Sequence, residues 1–133
     1  MPIESRHLTV WIKRRASDVY EYASDPVHIP TWAPGLGTSI ELVDGTWFIG
    51  SGEGRVALQF AEQNPFGVLD HRVTLPSGEV IYVPLRVIAD GDESEVVFTL
   101  RRQPGVRDDE FERDAGTVQA DLDRLRRILE AAD

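Results

Sequence analysis

The residue best suited to chemistry in this sequence is His71, because imidazole is the one side chain that ordinarily titrates near neutral pH. Such a histidine can act as a general acid or base, or it can orient a ligand carbonyl. The competing interpretation is a histidine that packs inside the protein and hydrogen-bonds internally. Asp70 does not form a dyad with it, since neighbouring strand residues point to opposite faces. We therefore expect a partner from another strand, such as Tyr82, or Glu62 near the rim.

A second group of residues has the side chains needed to contact a bound small molecule. Trp32 can gate a pocket or stack on an aromatic ligand, and it can equally anchor a short helix in the core. Tyr82 and Arg86 can donate hydrogen bonds to a ligand oxygen, although a strand arginine often faces solvent. The remaining candidates are aromatic residues that are also typical of a core: Trp47, Phe60, Phe98 and Phe111.

The strands around His71 are indicated by the turns between them. Asp44-Gly45 predicts a two-residue hairpin, because both central positions of a type I′ turn need a positive φ. Asn64–Gly67 predicts a second hairpin that pairs Phe60 with His71 on one apolar face. That face also holds Leu58 with Val73, and Val56 with Leu75. The alternating run over residues 7–12 predicts a first strand with Leu8, Val10 and Ile12 on one side.

The strand predicted over residues 79–89 has an ambiguous register at Pro84. Counting from the turn before it puts Tyr82 and Arg86 on the His71 face. Counting back from the next strand puts Leu85 there instead. A bulge near Pro84 would reconcile the two, because proline cannot donate to the ladder. We therefore expect Tyr82 to lie on the His71 face, while the direction of Arg86 depends on the register at Pro84.

Three helices complete the predicted elements. Ser17 is a plausible N-cap for a short helix over residues 19–23, and Asp25-Pro26 begins a second that carries Trp32. Asp108 can cap a long helix that carries Phe111 in its N-terminal half. Apolar residues recur along this helix at spacings of three and four, which predicts one buried stripe: Phe111, Ala115, Val118, Leu122, Leu125 and Leu129.

Composition limits the classes of function. The 133 residues fit one domain over 1–133, and 41% apolar residues suffice for a core. A net charge of −9 disfavours nucleic acid and anionic membranes as partners. The sequence predicts no metal site, because it has no cysteine and its three histidines are scattered. It also has no glycine-rich phosphate-binding loop, so we expect no cofactor. No apolar run resembles a signal or a membrane span, so we expect a cytoplasmic protein without membrane insertion.

The order of strand, two short helices, six strands and long helix resembles the helix-grip superfamily, also called START-like or SRPBCC. The resemblance lies in Ile12 with Ala16-Ser17-Asp18-Val19-Tyr20, in Ser24-Asp25-Pro26 before Trp32, in the glycine-punctuated hairpins and in the final amphipathic helix. It is closest to small bacterial members described as polyketide cyclase/dehydrase-like. It implies an α+β fold in which a curved seven-stranded antiparallel sheet carries the long helix across its concave face, with a cavity between them.

Three functions are open at this point, because the helix-grip fold hosts carriers, receptors and enzymes alike. The first is binding of a small hydrophobic or aromatic molecule in the cavity. The second is a polyketide cyclase or dehydratase that uses His71 as acid or base. The third is a protein-interaction domain with a vestigial pocket. Trp11, on the outer face of the first strand with Val97 nearby, also suggests a homodimer patch or an ordinary exposed side chain.

Overall fold

Antiparallel strands and one long helix dominate the computed structural model, which describes residues 4–51 and 54–132. The strands within these residues are β1 (Ser5–Ile12), β2 (Ser39–Val43), β3 (Thr46–Ser51), β4 (Gly54–Phe60), β5 (His71–Thr74), β6 (Val80–Val83), β7 (Leu85–Asp90) and β8 (Glu93–Arg101). The helices are α1 (Ala16–Ala23), α2 (Ile29–Trp32) and α3 (Asp108–Ala131), and a 3-10 turn at Pro26–His28 leads into α2.

The strands form two sheets, with the orders β1-β8-β7 and β2-β3-β4-β5-β6. The predicted count of seven is wrong by one within the described residues, because the strand expected over 79–89 is two strands that meet at Pro84. Proline has no N–H for the ladder, so the chain changes sheets here instead of forming the expected bulge. The two sheets stay joined, since the carbonyl of Pro84 accepts from the N–H of Thr99 at 3.0 Å.

The register of the hairpins matches the turn chemistry. Asp44 and Gly45 have φ values of 50° and 82°, as a type I′ turn requires, and Leu42 pairs with Trp47. Phe60 pairs with His71 across β4 and β5, which confirms the predicted neighbours. On β1, alternate side chains point inward, and these are Leu8, Val10 and Ile12.

The short helices carry Trp32, and α2 packs against α3 and β2. Asp25 accepts from the N–H of Val27 at 3.1 Å, which confirms the predicted cap of the Pro26–His28 turn. The predicted cap at Ser17 is wrong, because α1 already begins at Ala16 and places Ser17 inside its first turn.

Helix α3 begins at Asp108, so this residue is its first member and not its cap. Its carboxylate instead accepts from Nη1 of Arg102 at 2.6 Å. The predicted stripe is confirmed, with its members buried or half-buried against the sheet: Phe111, Ala115, Val118, Leu122, Leu125 and Leu129. Across the described residues, no helix has the length and apolar character needed to cross a membrane.

Candidate functional site

A cavity of about 230 Å³ lies between α2, α3 and the concave face of the sheet. Its wall is mostly apolar, because the sheet face and the helix stripe both turn hydrophobic side chains toward it. The apolar lining consists of Ile29, Trp32, Ala33, Leu36, Phe60, Val73, Val83, Leu85, Phe98, Leu100, Val118 and Leu122. The polar lining consists of His71, Asp114, Thr117 and Asp121.

His71 is the polar residue on the sheet side of the cavity, and only 7% of it is exposed. Its Nδ1 lies 3.0 Å from the carbonyl oxygen of Leu69. A carbonyl can only accept, so Nδ1 carries a proton, and in the neutral ring Nε2 presents a lone pair. Burial lowers the pKa of His71 and favours this neutral form. Phe60 and Phe98 flank the ring edge-on, at centroid distances of 5.3 and 6.5 Å.

Trp32 closes the cavity from α2, and only 4% of it is exposed. The helix ends directly after it, where the N–H of Ala33 bonds to the carbonyl of Ile29 at 2.7 Å. The indole Nε1 is buried and has no hydrogen-bond partner among the described residues. Buried polar atoms in native proteins are nearly always paired, so this donor is the unusual atom of the site.

Asp121 is a buried carboxylate on α3 at the same cavity. It accepts from Nη1 of Arg124 at 3.0 Å and from the N–H of Gly35 at 3.4 Å. Burial raises its pKa, while the two donors act against this. The close approach of the α2–β2 loop depends on glycine, because a Cβ at Gly35 would lie 2.7 Å from Oδ2 of Asp121.

The acidic side of this cavity was not predicted from the sequence. Asp114, Thr117 and Asp121 are separated by three and four residues, which places them on one face of α3 beside the apolar stripe. Asp114 and Thr117 are exposed, whereas Asp121 is buried. The spacing was therefore a usable signal, although it cannot distinguish a solvent-facing edge from a cavity wall.

Four of the predicted binding residues line the cavity together, namely Trp32, Phe60, His71 and Phe98. The other four, Trp47, Tyr82, Arg86 and Phe111, do not. Trp47 packs half-buried against the core from β3. Phe111 is buried under the guanidinium groups of Arg6 and Arg102, at 5.1 and 5.8 Å from its ring centroid, beside the cavity instead of on its wall.

Tyr82 faces away from the cavity, contrary to expectation. In the observed register, His71 pairs with Val83 and Arg72 pairs with Tyr82. The prediction was off by one residue, and a slip of one residue exchanges the two faces of a strand. Glu62 is exposed and does not line the cavity, so neither expected partner reaches His71.

Arg86 also lies outside the cavity, in a cluster with Asp70 and Tyr82. The buried carboxylate of Asp70 accepts from Nε and Nη2 of Arg86 at 2.9 and 2.8 Å, and from the Tyr82 hydroxyl at 2.7 Å. It also accepts from the N–H of Leu85 at 3.0 Å. The Arg86 guanidinium, with help from these other donors, lowers the pKa of Asp70 to about 2. The cluster therefore ties β5, β6 and β7 together around Pro84.

Within the part of the chain that the structure describes, no group of three or more His, Asp or Glu side chains could hold a metal ion. The chemical resources of the cavity are thus one imidazole, one indole N–H, two carboxylates and a hydroxyl in an apolar surround.

Comparison with known proteins gives a family match and several structural relatives. The family model described as "Polyketide cyclase / dehydrase and lipid transport" matches residues 6–130. No curated protein matches the chain in sequence.

Solved structures share the fold at low identity. An uncharacterized protein from Bacillus thuringiensis superposes with a TM-score of 0.74 at 15% identity, over 94% of this chain and 98% of that one. The Zhui aromatase/cyclase from Streptomyces sp. R1128 superposes with a TM-score of 0.70 at 16% identity, over 97% of this chain and 94% of that one. Norcoclaurine synthase from Thalictrum flavum, solved in complex with dopamine and hydroxybenzaldehyde, superposes with a TM-score of 0.64 at 16% identity. The match covers 99% of this chain and 89% of that one.

Proposed function

The chain belongs to the polyketide cyclase/dehydrase and lipid transport family, and from this premise we propose that it binds one small, largely apolar molecule in the cavity between α2, α3 and the sheet. The observation that carries this proposal is the cavity itself, whose volume of about 230 Å³ is lined almost entirely by apolar side chains. Sites for drug-sized ligands usually occupy about 300–1,000 Å³, so a ligand of one or two rings fits best.

Aromatic edges around the cavity favour a flat ligand. Phe60 and Phe98 line the cavity and meet the His71 ring edge-on, and Trp32 lines it from α2. Aromatic side chains gain extra stabilisation from offset or edge-to-face contact with another ring. The third hypothesis, an interaction domain with a vestigial pocket, expects a collapsed cavity, and the open volume gives it no support.

The test uses naphthalene as a neutral apolar probe and two matched variants of β6. Val83 lines the cavity, whereas Val80 on the same strand is exposed. Naphthalene should raise the melting temperature of the wild-type protein, since a ligand that binds only the folded state stabilises it. Val83→Phe fills the cavity and should abolish the rise, while Val80→Phe should keep it. Equal responses in both variants would place the probe elsewhere and contradict the proposal.

A second candidate is an enzyme of the cyclase or dehydratase type, and His71 is the observation that favours it. Its Nε2 has no hydrogen-bond partner among the described residues, and its side chain lines the cavity. A neutral imidazole in this position can accept a proton from a substrate carbon and pass it to the departing hydroxyl group, which leaves as water.

The enzyme hypothesis predicts a loss of turnover without a loss of binding. A poly-β-ketone thioester serves as the substrate probe, and mass spectrometry detects the product by its loss of water. The His71→Gln variant should bind the probe as the wild type does but form no product. Product at the wild-type rate would exclude His71 as the acid or base, and no product from the wild type would leave binding as the function.

A further inference from the structure

Strand β6 has a free edge on the side that faces β8. On its other side it pairs with β5, and the N–H of Leu75 donates to the carbonyl of Glu79 at 2.9 Å where that ladder begins. Bonded pairs recur at every second residue of an antiparallel ladder, so Ile81 bonds to β5. The N–H and carbonyl groups of Val80 and Tyr82 therefore point toward β8, with which β6 forms no ladder among the described strands.

The facing edge of β8 also turns backbone groups into this space. The N–H of Thr99 donates to the carbonyl of Pro84 at 3.0 Å, and Arg101, two residues on, directs its N–H to the same side. The carbonyl of Arg101 accepts from Nε2 of Gln103 at 3.2 Å. The two strands thus separate beyond Pro84 and leave a gap in the sheet, with backbone hydrogen-bonding groups on both borders.

This gap opens on both faces of the sheet. On the outer face it continues into a groove of about 550 Å³, which Val80 lines. On the inner face it continues into a space of about 170 Å³, which Leu100 and Phe111 line. Both spaces are bordered by the same residues at the gap: Ile81, Tyr82, Arg101, Arg102, Gln103 and Val106. A strand places alternate side chains on opposite faces, so one added strand can fill both spaces.

The outer face beside the gap is basic. Arg72 pairs with Tyr82 and shares its outward face, and Arg101 faces outward because the residue before it lines the cavity. Arg72 and Arg101 are exposed and form no ion pair among the described residues. Arg102 and Glu4 at the rim pair with each other at 3.0 Å. In a chain of net charge −9, two unpaired guanidinium groups beside one groove favour an acidic partner.

The inner face beside the gap is mostly apolar. Ile81, Leu100 and Val106 border the smaller space, and Phe111 lines it from α3. Asp114 lines it as well and would repel a carboxylate placed there. A strand in the gap therefore meets cations on its outer side and hydrocarbon on its inner side. The matching sequence alternates acidic and apolar residues, because side chains of an added strand are selected at every second position.

We propose that the gap between β6 and β8 binds an extended segment of a partner protein in which acidic and apolar residues alternate. The segment adds a strand to the free edge of β6, and its backbone pairs with that of Val80 and Tyr82. Its acidic side chains lie outside, near Arg72 and Arg101, and its apolar side chains enter the inner space. This role does not depend on the proposed function, because it assigns a protein partner to a neighbouring space.

The test uses the synthetic peptide acetyl-Glu-Val-Glu-Val-Glu-Val-amide and a control of equal composition, acetyl-Glu-Glu-Glu-Val-Val-Val-amide. Only the first places all its carboxylates on one face of a strand. Fluorescence anisotropy of labelled peptides measures both affinities, and the alternating peptide should bind about fivefold more tightly or better. Equal affinities, or no binding of the alternating peptide, would overturn the proposal.

Matched charge reversals locate the binding site. Arg101→Glu changes an arginine at the border of the gap, whereas Arg127→Glu changes an exposed arginine of α3 that lines neither space. The first should weaken binding of the alternating peptide about tenfold, and the second should leave it within about twofold. An equal loss in both variants would mean that the peptide responds to overall charge, which contradicts a site at the gap.

Amide hydrogen exchange in the wild-type protein tests the backbone pairing. The N–H groups of Val80 and Tyr82 should exchange quickly in the free protein and slowly with saturating peptide, whereas that of Ile81 should be protected in both states. Unchanged exchange at Val80 and Tyr82 would exclude strand addition. A peptide-free dimer that Arg101→Glu converts to a monomer in analytical ultracentrifugation would place a second copy of this chain in the gap and overturn the proposal.

Discussion

Replacing Asp70 with Asn should lower the free energy of unfolding by about 2–3 kcal/mol at pH 7. The carboxylate accepts hydrogen bonds from Arg86, Tyr82 and the N–H of Leu85, and these hold its pKa at about 2 against an ordinary value of 3.8. A difference of about 1.8 pKa units corresponds to about 2.4 kcal/mol of stability at neutral pH. The amide of Asn carries no charge, so this stabilisation is lost in the variant.

The stabilisation by Asp70 has a defined pH range. The folded pKa lies below the unfolded pKa, so the contribution is complete well above pH 3.8 and disappears as the pH falls through about 2. At pH 3 the same two pKa values leave only about 1.3 kcal/mol. The stability difference between wild type and Asp70→Asn should therefore narrow by about 1 kcal/mol between pH 7 and pH 3.

Urea unfolding of both proteins at a series of pH values measures this difference. Asp121→Asn is the matched control, because burial raises the pKa of Asp121 and gives the opposite sign. Wild type should gain stability relative to Asp121→Asn as the pH falls, while it loses stability relative to Asp70→Asn. A wild-type advantage over Asp70→Asn that is the same at pH 3 and pH 7 would refute the assignment of the low pKa to this cluster.

Gly35→Ala should destabilise the protein by about 1–3 kcal/mol, because its Cβ would lie 2.7 Å from Oδ2 of Asp121. A Cβ at Gly116 on α3 would meet nothing within 4 Å, so Gly116→Ala should stabilise the protein by about 1 kcal/mol. Urea unfolding of the two variants measures both effects. His71 has a pKa lowered below 6.5, so wild-type stability should fall as the pH drops from 7.5 to 5.5, and His71→Phe should flatten that dependence in the same assay. Trp11 is 43% exposed on the outer face of β1. If it forms a homodimer patch, Trp11→Glu should convert a dimer to a monomer in analytical ultracentrifugation. A wild-type protein that is already monomeric would contradict the patch.

Sequence patterns predicted the elements whose signals are local. Asp44-Gly45 specifies its turn through two positive φ values, and the stripe of α3 follows from spacing alone. The pairing of Phe60 with His71 was also accessible, because a short loop fixes the register on both sides. The order of these elements was enough to predict the fold and the family.

The remaining errors have a common physical origin in long-range packing. Nothing local reveals that Pro84 separates two sheets, because that depends on which strands β6 and β7 find as neighbours. Tyr82 was consequently placed on the wrong face. The polarity of the cavity wall on α3 was missed because Asp121 becomes buried only when the loop at Gly35 packs against it.

The junction at Pro84 also sets the dimensions of the cavity. Val83 and Leu85 flank the proline, belong to different sheets, and both line the cavity. The angle between the sheets at this seam therefore determines how far apart two parts of the wall stand, and Asp70 holds that angle from the outer side. The size of the cavity is therefore set in part by a cluster that lies outside its wall. Substitutions in that cluster can change the dimensions of the cavity without changing any residue that lines it.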